Sequence, residues 1–280
     1  MPTTRRRLRA PGKKPVTLGA IRPNAGVAAA YRTRLDKELK KMQDDVMKTI
    51  ADVYEDNPPV DIAFDSLASE MRGAMIELRR RWSKRFAELA KVWGLKFTQD
   101  ATGSADRAFA SALRAAGMSV RFQPTQAARD VFAATLNEQV NLITSIPAEC
   151  LTDVATLVNI SVMKGGDIGG LRKDLTEKFG VTRKRAALIS RDQNNKATAT
   201  ITKVRQLELG ITKARWLHSS GGRYPREEHV AFSHGRHHGN NKGPFYDVDK
   251  GAYLEGKWVW PGTEINCKCV SCAVIPGLED

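Results

Sequence analysis

The sequence predicts an α+β protein: a helix-rich N-terminal region containing a long helical hairpin, followed by a small mixed α/β C-terminal module. Three observations predict it. Apolar residues recur every three or four positions in two long runs before residue 95. That periodicity stops after residue 210, where glycines become frequent. All five histidines then fall between His218 and His238, and three of the four cysteines between Cys267 and Cys272.

Residues 1–25 carry seven basic side chains (Arg5, Arg6, Arg7, Arg9, Lys13, Lys14 and Arg22) and no acidic one. Pro2, Pro11, Pro15 and Pro23 interrupt them, and the segment has too little apolar area to offset its ordering entropy. It reads as a basic flexible arm suited to nucleic acid. Residues 26–95 read as the hairpin. The first stripe is Tyr31, Leu35, Leu39, Met42, Val46, Ile50 and Val53; the second is Phe64, Leu67, Met71, Met75, Leu78, Trp82, Phe86, Leu89 and Trp93. Asn57-Pro58-Pro59 breaks the pattern between them, since proline lacks a backbone donor and restricts its predecessor.

Residues 96–210 read as shorter helices with a basic face. Ser104 is the expected N-cap of a run to Ala116, stopped by Gly117. A further helix over 125–145 precedes one opened by Pro147 and ended by Lys164-Gly165-Gly166. Ile168–Phe179 closes at Gly180, and Thr182 caps a last helix that stops at Gly210. Residues 211–280 form the C-terminal module.

The formal charge of +14 and pI near 9.8 predict a polyanionic partner, with nucleic acid the first candidate and an anionic membrane surface the second. The stretch 164–215 holds thirteen Lys and Arg against five acids, and Arg183, Lys184 and Arg185 lie within it. These three, with the six N-terminal cations through Lys14, are the expected phosphate-facing residues. Contact of that kind releases counterions, so binding to double-stranded DNA is expected to be sequence-independent and salt-sensitive. No uninterrupted apolar run reaches the ~20 residues of a membrane span, and no membrane partner is expected. Without a signal peptide the chain is expected in a reducing cytosol, where cysteines serve as ligands or free thiols rather than disulfides.

His229, Cys267, Cys269 and Cys272 are the candidate metal ligands, with His218 or His234 able to complete the set. Thiolate and neutral imidazole are the ligands zinc prefers in tetrahedral sites. The spacing equally fits a metal-free core, because Cys267 and Cys269 on a strand would share one buried face. Both readings stand at the level of sequence. Trp258 and Trp260, if on a strand, would point to one side and pack in the core. His237 and His238, in a Gly/Asn loop, read as exposed.

The ordered set of motifs in this module resembles the Mu F-like minor head proteins, the head morphogenesis family of tailed bacteriophages. Trp216 falls where that family has a strand tryptophan. Arg226-Glu227-Glu228-His229 matches its Arg-x-x-His turn, Gly235 the glycine that follows, and Pro261-Gly262 its Pro-Gly step. Asn266-Cys267-Lys268-Cys269 matches Asn-Cys-Arg-Cys with lysine for arginine, and Ile189-Ser190-Arg191 is similar to the family's upstream arginine helix. The resemblance covers residues 180–275. It departs at Ser220-Gly221-Gly222-Arg223, where the family carries an acid, and in Cys272 and the additional histidines. It implies that His229, Cys267 and Cys269 meet in space.

It also implies a virion protein present in few copies inside the capsid, assembled in the host cytoplasm near the portal vertex. Its partners would be the portal protein, the major capsid or scaffolding protein, and packaged DNA. No nucleophile elbow, P-loop, dinucleotide fingerprint or His-Glu-x-x-His helix occurs, so a structural rather than enzymatic role is expected. The alternative is a metal-dependent, nuclease-like DNA-processing enzyme using the His/Cys cluster.

Overall fold

The computed structural model describes residues 15–56, 64–164, 167–222, 224–236 and 243–275. It is an α+β protein with four long helices, α1 (Ala25–Asp56), α2 (Phe64–Ala115), α3 (Gln126–Met163) and α4 (Ile168–Glu208). After them come β2 (Lys213–Leu217), the short α5 (Glu227–Ser233), β3 (Phe245–Asp247), β4 (Ala252–Leu254), β5 (Lys257–Val259) and β6 (Val270–Ile275). A two-residue strand, β1 (Val16–Thr17), precedes them all. The chain divides into two compact units. One comprises Ala28–Lys96 and Leu136–Ser190; the other comprises Met1–Val27, Phe97–Thr135 and Arg191–Asp280.

Among its described residues the first of these is built of helices and contains no strand. The predicted stripe on α1 is buried from Tyr31 through Ile50, with Tyr54 rather than Val53 as its last buried member. On α2 the stripe holds from Leu67 to Phe86 and then rotates, because 3.6 residues per turn drifts off a strict three-four pattern. Ala90 and Gly94 take the inward places, while Leu89 and Trp93 are half-buried. A Cβ on Gly94 would meet Gln139 and Leu136 side chains at 3.3 Å, so glycine there lets α3 approach closely. Asp45 accepts from Trp82 Nε1 (2.6 Å) and Arg81 (2.8 Å), and Glu38 accepts from Arg85 (2.7 Å). Later residues of α2 thus meet earlier residues of α1, which is the antiparallel hairpin.

Three predicted breaks do not occur. Ser104 sits inside α2, Pro147 inside α3, and Gly180 with Thr182 inside α4. In each case burial on both sides outweighs the local signal. Ile143, Ile146, Cys150, Leu151 and Val154 are all buried across Pro147, so the helix continues despite the missing donor. Thr182 is buried and donates to Lys178 O (3.0 Å), a back-bond within a helix rather than a cap. Gly117 and Gly210 do stop their helices. Both have positive φ, 77° and 68°, and Met118 N donates to Leu113 O and Ile211 N to Gln206 O, each at 2.9 Å. The most apolar window of α3 has the length and hydropathy of a membrane span, although Glu149 and Asp153 interrupt it.

The other unit carries an antiparallel sheet in the order β1-β6-β2-β3 and a β4-β5 hairpin. Of the expected arm, residues 15–25 are built into this unit. Val16 pairs with Ile275, Leu18 N donates to Ala273 O (2.8 Å), and Leu18 and Ile21 are buried with Phe109, Leu113 and Ile211. Arg5, Arg6, Arg7, Arg9, Lys13 and Lys14 lie outside the described residues, as do His237 and His238. The buried Arg205 of α4 donates to both Asp106 oxygens (2.8 Å each), to Glu208 (2.8 Å) and to Gln123 O (2.7 Å). A guanidinium so enclosed is a structural anchor, not a phosphate contact.

A buried histidine and two cysteines as a candidate metal centre

The site is assembled around β2. Its alternation turns Ala214 and Trp216 inward and leaves Lys213 and Arg215 in solvent. Trp216 is fully buried, with its ring edge-on to His229 (5.0 Å between centroids), Phe232 (5.8 Å) and Tyr246 (6.0 Å). His229 and Phe232 are three apart on α5 and so share its inner face. The backbone N–H of His218 donates to Ser233 Oγ (2.9 Å), tying the end of β2 to the end of this helix.

Cys267 and Cys269 arrive from the turn before β6. They lie outside any strand, and both face His229. His229 Nδ1 is 3.6 Å from Cys267 Sγ and 3.9 Å from Cys269 Sγ. One ligand atom from each of the three residues lies within 4.8 Å of the others, and all three residues are buried, at 2%, 3% and 4% exposure. They form a His/Cys cluster able to hold a metal ion. His229 Nε2 is buried with no partner among the described residues.

Each motif around the cluster has a physical task. Arg226 precedes α5 and donates to Ile265 O (3.1 Å), with Glu255 and Glu264 at 3.6 and 3.8 Å from its guanidinium. It thereby ties the start of the histidine helix to the turn that delivers Cys267. Gly262 has φ 89°, and a Cβ there would lie 3.0 Å from Cys269 O. Its N–H points at Cys267, as Ser219 N–H does at Cys269. Asn266 occupies the left-handed region (φ 61°), which asparagine tolerates better than most residues, and donates its N–H to Asp192 (2.6 Å). Gly235, also at positive φ (74°), ends α5.

The two thiols interact strongly. Cys269 donates toward Cys267 and, despite the cost of burial, holds it well below the usual cysteine range, with His229 and backbone N–H groups adding to the effect. The same interaction, with burial, pushes Cys269 up. Trp216 Nε1 makes no ordinary hydrogen bond but lies close enough to Cys269 to favour its thiolate. The pair therefore shares a proton over a pocket of N–H groups aimed at sulfur.

The structure removes Cys272 from the set. It lies on β6 opposite Arg215, on the sheet face away from Trp216 and hence from His229. Burial raises its thiol, with Arg215 and Arg22 acting against the rise. His218 stands near Cys267, where burial lowers its pKa, but its Nδ1 already accepts from Ser220 N (3.1 Å). His234 is exposed and bonds Val230 O through Nδ1 (2.8 Å). The two tryptophans also part company. Trp258 is 52% exposed on β5, whereas Trp260, just beyond that strand, packs in the core and donates to Val248 O (2.8 Å).

Asp192 and Asn195 of α4 were not anticipated. Asp192 accepts from Asn266, and Asn195 donates to Cys267 O (3.1 Å), so this helix grips the cysteine turn. The available signal was the polar run Asp192-Gln193-Asn194-Asn195, poor helix formers in the middle of a long helix. Of the proposed basic residues on α4, Arg183 bonds Gln43, Arg185 bonds Glu149 (2.8 Å) and Ser145 (3.2 Å), and Lys184 is exposed.

No family model matches the chain, and no solved structure matches it. It is 32% identical over 146 residues to an uncharacterized protein of Haemophilus influenzae, an alignment covering 50% of this chain and 28% of that protein. The chain thus spans under a third of the length of the curated relative it matches.

Proposed function

We propose that this chain is a minor head protein of a tailed bacteriophage, acting in head assembly at the portal vertex and against packaged DNA, with its C-terminal module held by a zinc ion. The observation that carries the reading is convergence. Arg226 and His229 in one stretch and Gly262, Asn266, Cys267 and Cys269 in another, residues of the resemblance separated by over thirty positions, serve one buried cluster. The resemblance supplies the head-protein role, and the cluster supports the resemblance.

The donor set fits zinc. A tetrahedral ion with Zn–S about 2.3 Å and Zn–N about 2.0 Å holds sulfur and nitrogen about 3.5 Å apart. The two S···N separations of 3.6 and 3.9 Å are close to that. The N–H groups directed at both sulfurs stabilise thiolates, and Asp192, Asn195 and Arg226 fix the backbone that carries the ligands. Zinc would supply cross-linking of α5 to the cysteine turn. The protein's own contribution is orientation and exclusion of water.

The nuclease-like reading draws on one observation: three protein ligands leave a fourth coordination position. Against it, no carboxylate belongs to the cluster among the described residues, and all three ligands are enclosed. Zinc content of the purified chain, a plasmid-nicking assay with added divalent metal, and co-purification with a co-expressed portal protein separate the two. One zinc per chain, no nicking and a stable portal complex are expected. Nicking that disappears in His229→Ala would replace the structural reading with the enzymatic one. Gel shifts against salt, with and without residues 1–14, test the basic arm while keeping β1, Leu18 and Ile21 in place; an unchanged salt slope after deletion removes it.

A further inference from the structure

Within the helical unit, α2 and α3 border an open groove of about 370 Å³. Its floor is aliphatic, from Met75, Ile76 and Ala155, and Arg72 and Arg79 stand along one wall. Ile76 is 66% exposed, an isoleucine left in water on a helix whose other face is buried. Arg80 also borders the groove but is held by Glu77, at 2.7 and 2.8 Å. Neither Arg72 nor Arg79 has a carboxylate partner among the described residues; Arg79 makes only a long contact, 3.5 Å, with Thr152.

We propose that this groove docks an acidic amphipathic helix of a partner protein. Aliphatic side chains of that helix rest on Met75, Ile76 and Ala155, and two carboxylates seven residues apart reach Arg72 and Arg79. The spacing is the argument. Arg72 and Arg79 are two turns apart on α2, about 10 Å along its axis, so a helix lying alongside presents its i and i+7 residues at the same interval. Guanidinium forks favour carboxylates in bidentate geometry. A phosphate backbone would match the charge but gain nothing from the aliphatic floor, and it would leave Ile76 against sugar and phosphate. The inference concerns α2 and α3 alone and is independent of the metal cluster and of the head-protein reading.

The test uses the full chain and three fluorescent 20-residue peptides of high helix propensity. The first has glutamates at i and i+7 flanking leucines at i+3 and i+4. The second has lysines in place of those glutamates, and the third has the glutamates moved to the opposite face. Anisotropy titrations should show the first binding at least about tenfold tighter than either other. The double variant Arg72→Glu/Arg79→Glu should reverse the preference between the first two, a swap that general misfolding would not produce. Ile76→Asp should weaken the first peptide with helicity unchanged by circular dichroism. The proposal is overturned if no peptide binds, if the three bind alike, or if the preference survives charge reversal. It is equally overturned if Arg72→Glu/Arg79→Glu abolishes binding of a 20-base-pair duplex while leaving peptide binding intact, which would make the groove a nucleic-acid surface.

Discussion

The hairpin and the histidine-cysteine module reach buried interiors by opposite means. In the hairpin one rule repeats: Leu35, Leu39, Met42, Val46 and Ile50 on α1 and Leu67, Met71, Leu78 and Phe86 on α2 are buried at helical spacing, with little required of each beyond apolar bulk. In the module almost no position repeats another. Trp216 needs an edge-on imidazole, Gly262 a left-handed backbone, Asn266 an acceptor on α4, and Arg226 a carbonyl. The first kind of core loses stability by degrees when a side chain is trimmed. The second fails at once when a member is lost, because each residue holds a different part of the same cluster.

The widest gap between the two regions should appear on removing metal or a ligand. Metal-linked folding of such modules amounts to about 10 kcal/mol. On the proposed zinc reading, Cys267→Ser or His229→Ala should therefore release the ion and shift Trp216 fluorescence to the red while the hairpin keeps its helicity. Unchanged emission and unchanged melting would mean a metal-free core. Phe86→Ala, at the centre of the hairpin, should cost about 3–5 kcal/mol in urea denaturation and leave zinc content intact. Zinc loss in that variant would break the contrast.

Gly262→Ala tests whether a backbone position can matter as much as a side chain. Positive φ and the nearby Cys269 carbonyl should together cost about 1–3 kcal/mol and weaken metal retention under a chelator. Indifference to alanine would mean the turn has slack. The hairpin has a charge handle of its own in Glu38. Burial raises its pKa, but Arg85 and Lys41 prevail and hold it below the ordinary value of 4.5. The stability it adds is fully present above pH 4.5 and is lost as pH falls through the lowered value. Glu38→Gln should flatten that acid limb of the melting curve, and identical limbs for the two proteins would remove the assignment. The effect is small because Arg85 and Lys41 are about half-exposed. The smallest change should be a gain. Gly180 lies mid-helix with nothing within 4 Å of a built Cβ, so Gly180→Ala should stabilise by about 0.5–1 kcal/mol. A loss would restore the helix break expected there.

What could be read in the sequence follows the same division. The stripes of α1 and α2 were legible because a helical core repeats at the period of the helix. Pro147 and Gly180 misled because local signals state a preference, whereas Ile143, Leu151, Phe179 and Ala186 buried on either side decide the outcome. The meeting of His229 with Cys267 and Cys269 was legible only through the ordered motifs. Periodicity relates neighbours along one element, and these ligands come from a helix and a turn some forty residues apart. Cys272 was misplaced for the same reason: its distance from Cys269 in sequence is short, but one step along a strand reverses the face. Asp192 and Asn195 left only a run of polar residues in a helix.

The pairing of Val16 with Ile275 fixes an order of events at the ribosome. Their partnership spans about 260 residues, so at about 5–20 residues per second the strand near the start of the chain waits about 13–50 seconds for its neighbour to be made. Through that interval Leu18 and Ile21 have no finished sheet to cover them. The cysteine turn, which emerges immediately before β6, reaches its histidine at the same stage.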